Sequence, residues 1–458
     1  MKRRRIAVIG AGASGLCSAK YLIQAGHEVT VYEAGSYVGG LWKYSNDNGA
    51  SIAYKSLHIN SEKRNTQFHD FPFAPDVQDF PSHHDMYEYL HAYAAHFGVL
   101  ENTKFRSRVA SVQPDDDAGA RVWQVRLEDG SEAEFDAVIV APGHQSVPSF
   151  PAFAKDFTGE MIHANAYREP SSYQGKRVLV VGSGNSGCDI ASDVCTLAER
   201  TVMVARSPEL IVPKLFLGRP VTQITGLFDR PWLPSGAPQL ARNLITRMVH
   251  GRMEQWGFKT PPRGIRTHPT SNALLINHIA YRRIEVVNGI SSVQGKLVRF
   301  ADGSSAEFDA MVCATGYELT LPFLEGVVKV ADRGIDLYKQ VIEPRWAGLY
   351  FVGFSNAAGS SNLRMFELQA RLVSQIESGL GQLPSQTEME QNIQERRNYI
   401  ARHYPGGPRY TMEIEAAEYT ETMNAAIDAA AKRLANSGRP GVSSVPDQQP
   451  LQGQKIRA

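Results

Sequence analysis

Residues 5–33 read RIAVIGAGASGLCSAKYLIQAGHEVTVYE, and this stretch decides the fold. Its first five residues are mostly β-branched and predict a strand, which a glycine turn follows. Ala, Leu and Ile at helical spacing then predict a helix over residues 14–25, and residues 28–33 predict the next strand. A strand–helix–strand unit of this kind places parallel strands under helices, so the chain is predicted to be an α/β protein.

The same design recurs in residues 177–206, RVLVVGSGNSGCDIASDVCTLAERTVMVAR. Here we predict a strand at 177–181, a helix at 186–198 and a strand at 201–205. Two other stretches, EFDAVIVAPGH (134–144) and EFDAMVCATGY (307–317), resemble each other, and each follows an Asp-Gly-Ser turn. Both read as strands that return to a sheet. The chain is therefore predicted to contain two Rossmann-like dinucleotide-binding domains, the second inserted into the first.

The predicted domain organisation has four parts. Residues 1–150 form the first part of one domain, residues 151–305 the inserted domain, and residues 306–437 the second part with amphipathic C-terminal helices over 384–435. Proline-rich stretches near 142–151 and 317–322 are the predicted crossings. The last part, 438–458, is rich in Pro, Ser, Gln and Gly and is predicted to be a disordered tail.

The composition indicates a folded globular protein. The chain has 458 residues, of which 43% are hydrophobic and 21% charged, with 48 Lys and Arg against 47 Asp and Glu. A net charge of +1 creates no overall field that would attract nucleic acid, so no nucleic-acid partner is expected. Residues 206–283 are an exception, with twelve basic against three acidic residues. That window either binds an anion or is a solvated face.

The cysteines and the apolar runs predict the compartment. The four cysteines form no CxxC pair, which argues against a disulfide framework, a zinc cluster or another metal site and favours a reducing, cytoplasmic compartment. The first 19 residues imitate a signal peptide, but cleavage there would remove the glycine turn. No run of about 18 apolar residues occurs, so neither a transmembrane helix nor a membrane anchor is expected.

The first glycine turn predicts a dinucleotide site. In such a fingerprint the first glycine permits a tight turn, the second lets a pyrophosphate approach the backbone, and the third lets the helix pack on the strand. An acidic residue about 20 positions later holds the ribose hydroxyls. The predicted binding residues are Gly10, Gly12, Ser14, Gly15 and Glu33. A glycine turn without ligand is the alternative, and the strand, helix and Glu33 together argue against it.

The second glycine turn predicts a different nucleotide. Where Glu33 stands in the first copy, this copy has Arg206 and Ser207, which would pair with a 2′-phosphate that a carboxylate would repel. The first site is therefore predicted to bind FAD or an NAD-like nucleotide and the second NADP(H). Two dinucleotide sites of unlike type in one chain predict an electron-transfer enzyme in which a nicotinamide reduces a flavin. A solvated strand-end arginine is the alternative for Arg206. The predicted binding residues are Gly182, Gly184, Asn185, Ser186, Gly187, Arg206 and Ser207.

A family resemblance appears between the two fingerprints. Residues 157–167, FTGEMIHANAY, match FxGxxxHxxxY through Phe157, Gly159, His163 and Tyr167, and this resembles the signature of the flavin-containing monooxygenases. The likeness extends to GGLW (39–42), SLHIN (56–60), CATGY (313–317) and ELQAR (367–371), and it spans roughly residues 5–430. It adds further expected cofactor-binding residues: Gly40, Leu41, Trp42, Thr315, Gly316 and Tyr317.

The resemblance implies a class B flavoprotein monooxygenase of the nitrogen- and sulfur-oxygenating type. In such enzymes NADPH reduces FAD, O₂ adds at flavin C4a to form a hydroperoxyflavin, and one oxygen atom passes to a soft nucleophile of a small molecule. The expected partners are that substrate and O₂. A homodimer is left as an open alternative to a monomer. Baeyer–Villiger or indole-keto-acid oxygenation, or a flavin-binding oxidase or sensor without substrate oxygenation, are the alternatives.

Two residues carry most of what the resemblance implies for chemistry. Asn60 aligns with an asparagine that lies near the flavin and the nicotinamide in this family, and it is the catalytic candidate; a helix cap or turn residue is the alternative. Tyr167 stands where Baeyer–Villiger relatives have Trp, so ketone oxygenation is disfavoured. Together with His163, Tyr167 is either a hinge between the domains or ordinary packing at their seam.

Other candidates are weaker, because aromatic and polar residues at these places also suit a core. Trp42, Tyr44 and Phe73 would line the flavin region. Ser355 and Asn356 would face the flavin, while Glu367 and Gln369 are more doubtful. Residues 208–275 read as a lid or channel, with the aromatic residues Phe216, Phe228, Trp232 and Trp256.

Overall fold

Two five-stranded parallel sheets carry the fold. They are seen in a computed structural model that describes residues 2–115, 122–228, 232–233, 236–262, 264–331 and 334–436. The predicted tail at 438–458 lies outside these residues. The predicted α/β class with two Rossmann-like sheets is confirmed.

The first sheet is built around the first fingerprint strand, and both of its faces are covered. Ile6, Ala7 and Val8 have no exposed surface, which explains why the strand reads as a continuous apolar run rather than an alternating one. All neighbouring strands are parallel. In spatial order the strands are Leu349–Phe351, Ala137–Val140, Arg5–Ile9, Glu28–Tyr32 and Thr103–Lys104.

The second sheet repeats this plan around the second fingerprint strand, again with parallel neighbours throughout. In spatial order its strands are Ile284–Val287, Arg200–Val204, Arg177–Val181, Ala310–Cys313 and Glu160–His163. The strand Ala310–Cys313 pairs with Arg177–Val181 and therefore belongs to this sheet. The boundary predicted at 305 is thus too early, because residues 306–313 were assigned to the other domain.

In chain order, the strands of the second sheet are inserted between the strands of the first. Its strands lie between residues 160 and 313, whereas the first sheet takes strands from both sides of that interval. The two crossings run side by side, because Val147–Pro148 pairs with Tyr317–Glu318 in an antiparallel ribbon. The proline-rich stretches predicted as crossings contain these two strands. We propose that the inserted unit extends from this ribbon at residue 148 to its return at residue 317.

Two three-stranded antiparallel sheets precede the matching EFDA stretches, as the Asp-Gly-Ser turns predict. Their strands are Val109–Pro114, Trp123–Leu127 and Glu132–Phe135, and Ile290–Gln294, Leu297–Phe300 and Ser305–Glu307. In each turn the aspartate carboxylate accepts from the serine: Asp129 from Ser131 and Asp302 from Ser304. These side chains replace backbone partners and so favour the turn.

Helices cover the sheets and form the C-terminal region. The described helices are Ala13–Gln24, Lys63–Thr66, His83–His96, Asn185–Val194, Val221–Gly226, Ala237–His250, Leu275–Ala280, Asn362–Glu377, Gln386–His403 and Ala416–Asn436. The remaining short strands are Ile211–Val212, Leu215–Phe216, Arg219–Pro220, Thr270–Ser271, Val330–Ala331, Gly334–Ile335, Asn356–Ala358 and Glu413–Glu415.

The second fingerprint helix and the C-terminal helices end where local sequence stops them. The second fingerprint helix was predicted to reach residue 198 but ends at Val194, and the Thr196 hydroxyl donates to the Asp193 carbonyl, a local bond that competes with helix continuation. The stretch 384–435, predicted to hold amphipathic helices, contains Gln386–His403 and most of Ala416–Asn436. The sequence Pro-Gly-Gly-Pro at 405–408 separates them, because proline cannot continue a helix and glycine favours leaving it.

Both fingerprint helices are seated very closely on their strands. A Cβ atom built on Gly15 would lie 1.8 Å from the Gly10 carbonyl oxygen, and one on Gly187 would lie 2.1 Å from that of Gly182. No side chain fits at either place. The third glycine of each fingerprint therefore sets the distance between helix and strand.

We expect Gly15→Ala to destabilise the fold. The added methyl group meets backbone rather than a flexible side chain, so the helix must move off the strand, at a cost of about 3 kcal/mol. Thermal and urea unfolding of the flavin-depleted protein measure this loss without the effect of cofactor binding. Gly226→Ala is the matched control, because its Cβ would meet nothing within 4 Å. Equal stability of the two variants would contradict the prediction.

Candidate nucleotide and flavin sites

The first fingerprint forms a tight turn between strand and helix. Gly10 has a φ of +101°, and its N–H donates to the Tyr32 carbonyl over 2.8 Å. A side chain on Gly10 would come within 2.5 Å of the Ala141 carbonyl oxygen. The turn thus requires glycine for both conformation and space, as the sequence predicted.

The second glycine of this turn faces open space. A Cβ on Gly12 would meet only the Gly40 Cα, at 3.8 Å, and Gly12 begins the helix Ala13–Gln24 without any side-chain cap. The first N–H groups of the helix have no capping side chain, and such groups bind phosphate well. The predicted Gly40, Leu41 and Trp42 form a short 3₁₀ helix here, and Gly39 N–H donates to Ala11. The predicted Ser14 is buried in the helix.

Glu33 lies against the loop. It is only 3% exposed; one carboxylate oxygen accepts the Ala11 N–H over 2.8 Å, and the other accepts the Gly35 N–H over 2.9 Å. Asn48, which the sequence did not single out, also donates to it. The loop therefore carries a fixed negative charge at its edge. Such a charge suits ribose hydroxyls and disfavours a phosphate.

The second fingerprint reproduces the first turn. Gly182 has a φ of +118°, its N–H donates to Val204, and its Cβ would lie 2.3 Å from the Ala314 carbonyl oxygen. Gly184 begins the helix Asn185–Val194 without a side-chain cap. The amide oxygen of Asn185 is buried and has no hydrogen-bond partner within the described ranges. The uncapped first N–H groups of this helix fit an anionic group, with Ser186 and Gly187 in the first turn of the helix.

In each sheet a charged residue follows the strand that comes after the fingerprint helix. The two residues have opposite charges. In the place of Glu33, the second sheet has the exposed Arg206, whose guanidinium makes no hydrogen bond or ion pair to the described part of the chain, and then Ser207. Lys259, which the sequence did not single out, donates to the Arg206 carbonyl over 3.2 Å. This corner is positively charged where the first is negative. It is therefore suited to a phosphate.

A third basic residue reaches the second fingerprint from far along the chain. Arg409 Nη1 donates to Glu209 Oε1 over 2.6 Å, and the same carboxylate oxygen accepts from Ser183 Oγ inside the glycine turn, over 3.1 Å. Sequence reasoning missed both Arg409 and Glu209. They are 200 residues apart, and no short motif contains them.

The signature residues lie at the crossings between the two sheets. His163 ends a strand of the second sheet, and its Nε2–H donates to the Gly316 carbonyl over 3.0 Å. Burial lowers the pKa of His163, so the ring is neutral at pH 7, and Nδ1 then accepts the Asn165 N–H. Thr315 Oγ1 donates to the Ser149 carbonyl of the other crossing. Tyr317 packs against the ring of His163.

Phe157 and Gly159 have a packing role in the structure. The Phe157 side chain is buried in the core of the second sheet. A Cβ on Gly159 would lie 2.6 Å from the Phe157 ring and 2.7 Å from the Asp309 carbonyl oxygen. The signature thus brings chain segments together, and neither residue faces a fingerprint loop.

Tyr167 ties the segment before Asn60 to the second fingerprint helix. Its hydroxyl donates to Asp193 Oδ2 over 2.7 Å, and the same oxygen accepts from Ser56 Oγ over 3.0 Å. On the next turn of that helix, Asp189 accepts from the Tyr54 hydroxyl over 2.7 Å. Burial raises the pKa of Asp189. The residues at 54–56 are therefore fixed to the helix that faces the predicted NADP(H) site.

Asn60 does not cap the helix that follows it. Its amide oxygen is buried without a hydrogen-bond partner in the described residues, whereas the adjacent short helix Lys63–Thr66 is capped by Glu62. The helix-cap alternative is therefore wrong. Lys214, from the predicted lid, donates to the neighbouring Ile59 carbonyl over 3.1 Å. A buried amide oxygen without a donor is costly, so the position of Asn60 is consistent with a bound group that donates a hydrogen bond to it.

The weaker candidates divide between core and surface. Phe73 stacks on Tyr89 with ring centroids 4.0 Å apart, and Trp42 packs on the same core, so these two have a packing role. Tyr44 is partly exposed and stacks on His83. In the predicted lid, Phe216 and Trp256 pack on hydrophobic clusters, while Phe228 and Trp232 are exposed.

The loop after the strand Leu349–Phe351 lies against the first fingerprint helix. A Cβ on Gly353 would come within 2.9 Å of Ser14 Oγ, and the Gly353 N–H donates to Gln369 Oε1 over 3.0 Å. Gln369 also donates to the buried Ser355. Gln369 thus positions this loop, and the predicted Asn356 begins the short strand after it.

Glu367 has a structural role, since it accepts from Tyr21 and from the His69 N–H. Together with His69 and Asp70 it brings three metal-type ligand atoms within 4.8 Å of one another. The ammonium group of the buried Lys20 lies 2.6 Å from Asp70, however, and this positive charge disfavours a cation there.

Comparison with known proteins agrees with this geometry. The profile of the family described as flavin-binding monooxygenase-like matches residues 3–435. Flavin-containing monooxygenase 5 of Oryctolagus cuniculus is 32% identical over 447 residues, which cover 93% of this chain and 83% of the relative. The 4-hydroxybenzoate brominase (decarboxylating) of Marinomonas mediterranea is 30% identical over 444 residues, which cover 92% and 83%.

A solved structure is similar over nearly the whole length. The S-allyl-L-cysteine S-oxygenase of Allium sativum is 25% identical with a TM-score of 0.71, and the match covers 95% of this chain and 93% of that one. Among the described residues, no helix combines the length and the apolar composition that crossing a bilayer requires. The predicted resemblance is confirmed: the chain belongs to the flavin-binding monooxygenase-like family, as an NADPH-dependent oxidoreductase that uses FAD and O₂.

Proposed function

We propose that this enzyme transfers one oxygen atom from O₂ to a soft nucleophile, an amine nitrogen or a sulfide sulfur, of a small molecule, through a hydroperoxyflavin. The observation that carries the proposal is the pair of glycine turns with opposite charges: Glu33 at the first and Arg206 at the second. That pair supports FAD at the first turn and NADPH at the second.

The residues of this chain hold and orient more than they react. When bound, FAD supplies the oxygen chemistry, because NADPH reduces it and O₂ then reacts with it. Glu33 would hold the ribose of FAD, and Arg206 with Ser207 the 2′-phosphate of NADPH. Asn60 offers a neutral amide, which hydrogen-bonds without supplying an acid that would release peroxide.

Tyr167 and one structural neighbour favour nitrogen or sulfur over a ketone as the acceptor of the oxygen atom. In Baeyer–Villiger relatives the position of Tyr167 is typically Trp. The structural neighbour from Allium sativum is named an S-oxygenase, which supports sulfur as an acceptor. We also propose a cytoplasmic location, supported by four cysteines that are all buried and unpaired.

Product analysis tests the proposal. With NADPH and air, we expect thioanisole to give the sulfoxide and N,N-dimethylaniline the N-oxide, each with about one NADPH consumed per product, and cyclohexanone to give no lactone. Mass spectrometry of the products and the loss of NADPH absorbance measure this. Lactone formation would favour Baeyer–Villiger chemistry, and hydrogen peroxide as the sole product with all three compounds would favour an oxidase or sensor.

The charge at the end of the second sheet predicts nucleotide preference. We expect Arg206→Ala to weaken NADPH binding about 10- to 100-fold, the effect of losing charge-assisted hydrogen bonds to a phosphate, and to change NADH binding less than about twofold. Anaerobic titration of flavin reduction measures both. Arg219→Ala, an exposed arginine in the same basic window, is the control. Equal losses for NADPH and NADH would remove the 2′-phosphate assignment.

The unpaired amide predicts a coupling role for Asn60. We expect Asn60→Ala to leave the rate of flavin reduction within about twofold. The hydrogen peroxide released per NADPH should rise about tenfold, because a lost hydrogen bond between uncharged groups is worth roughly 1–1.5 kcal/mol. Rapid mixing of the reduced enzyme with O₂ should show faster return of the oxidised flavin spectrum. Asn102→Ala, which removes a side-chain amide that donates to the Gly98 carbonyl, is the control. An unchanged return rate would leave Asn60 with a structural role.

A further inference from the structure

Arg409 is carried by one half of the molecule and acts on the other. It lies in the short 3₁₀ helix Pro408–Tyr410, which leads into the strand Glu413–Glu415. That strand pairs in parallel with Asn356–Ala358, directly after the edge strand of the first sheet. The guanidinium nevertheless contacts Glu209, which follows the second fingerprint. The C-terminal segment thus reaches the second glycine turn.

The free end of the guanidinium points at the second glycine of that turn. A Cβ atom built on Gly184 would meet one neighbour within 4 Å, Arg409 Nη2, at 4.0 Å. Nη2 has no hydrogen-bond partner in the part of the chain that the structure describes, and the side chain is 38% exposed, so this nitrogen is accessible to a ligand. Gly184 is the position at which a pyrophosphate approaches the backbone. A positive charge therefore stands over the predicted phosphate position.

Glu209 holds Arg409 in this position. Its side chain is 1% exposed, and it accepts from Arg409 over 2.6 Å, from Ser183 over 3.1 Å and from Thr270 over 3.4 Å. The bond to Ser183 connects the carboxylate directly to the glycine turn. The ion pair uses only Nη1, so the second terminal nitrogen stays available to a ligand.

We propose that Arg409 binds the pyrophosphate of NADPH and that Glu209 is its positioning residue. The inference rests on the assignment of NADPH to the second fingerprint made above. A guanidinium can hold a carboxylate through one nitrogen and a phosphate oxygen through another. Arg206 and Arg409 then have separate tasks, since Arg206 contacts the 2′-phosphate and Arg409 the group that NADPH and NADH share. The nucleotide site is completed by both halves of the chain.

The experiment separates the two arginines by their ligands. Isothermal titration calorimetry of the FAD-loaded, oxidised enzyme measures binding of NADP⁺, NAD⁺ and adenosine 2′-monophosphate, which lacks a pyrophosphate. We expect Arg409→Ala to weaken NADP⁺ and NAD⁺ equally, by about tenfold or more, and to leave adenosine 2′-monophosphate within about twofold. Arg206→Ala should show the reverse pattern, with losses for NADP⁺ and adenosine 2′-monophosphate and none for NAD⁺.

A second variant guards against a simple loss of structure. Arg409→Ala alone leaves Glu209 buried without its cation, which is destabilising, so Arg409→Ala/Glu209→Gln removes the orphaned charge as well. The double variant should show the same ligand pattern with a thermal unfolding midpoint close to that of the unmodified enzyme. Arg397→Ala, which breaks an exposed ion pair with Asp336 in the same region, is the control and should change none of the three affinities.

Each outcome decides the matter. Two results would contradict the proposal: unchanged NADP⁺ and NAD⁺ binding in both Arg409 variants, or a loss for adenosine 2′-monophosphate as large as for NADP⁺. Arg409 would then only form an ion pair between the two halves. The unmodified enzyme tests the underlying assignment separately, through its binding of adenosine 2′-monophosphate and the dependence of that binding on Arg206. If that dependence is missing, the second fingerprint is not the NADPH site, and the inference falls with it.

Discussion

The contact between the third glycine and the carbonyl of the first is the constraint on which both nucleotide sites depend. At 1.8 Å and 2.1 Å from that oxygen, no Cβ atom can be present on Gly15 or Gly187. Because the helix packs this closely on the strand, the first N–H groups of each helix point to the space beside the second glycine. The acidic and basic strand ends, and the residues from other segments, are arranged around two loops that this contact has already fixed.

The local parts of this arrangement could be predicted from the sequence, because strand, glycine turn and helix lie within about 30 residues of one another. Both fingerprint strands were predicted correctly, and the contrast between Glu33 and Arg206 is visible in the sequence itself. The strand Ala310–Cys313 was assigned to the wrong sheet, since EFDAMVC and EFDAVIV are nearly identical apolar runs and buried parallel strands carry no mark of their partner. Sheet membership is decided by long-range pairing, which one sequence does not reveal.

The same limit applies to the sites. Glu209 and Arg409 meet across 200 residues, and each alone resembles an ordinary surface charge in the sequence. Asn60 could be proposed only from a family resemblance, because the structural sign of a binding role is an amide oxygen without a partner among the described residues, which appears only after folding. Glu367 and Gln369 were in doubt from the sequence. The structure places them in hydrogen-bond networks that hold other segments, at Tyr21 and Gly353 respectively.

The antiparallel ribbon of Val147–Pro148 and Tyr317–Glu318 marks where the chain leaves the first sheet and where it returns. The two parts of the first sheet are therefore synthesised before and after the inserted unit. A ribosome releases every strand of the second sheet, residues 160–313, before the edge strand Leu349–Phe351 that completes the first sheet. The inserted unit therefore has all of its strands available while its host is still unfinished, and domains generally fold as units during translation. The half of the enzyme that begins the chain is the last to close.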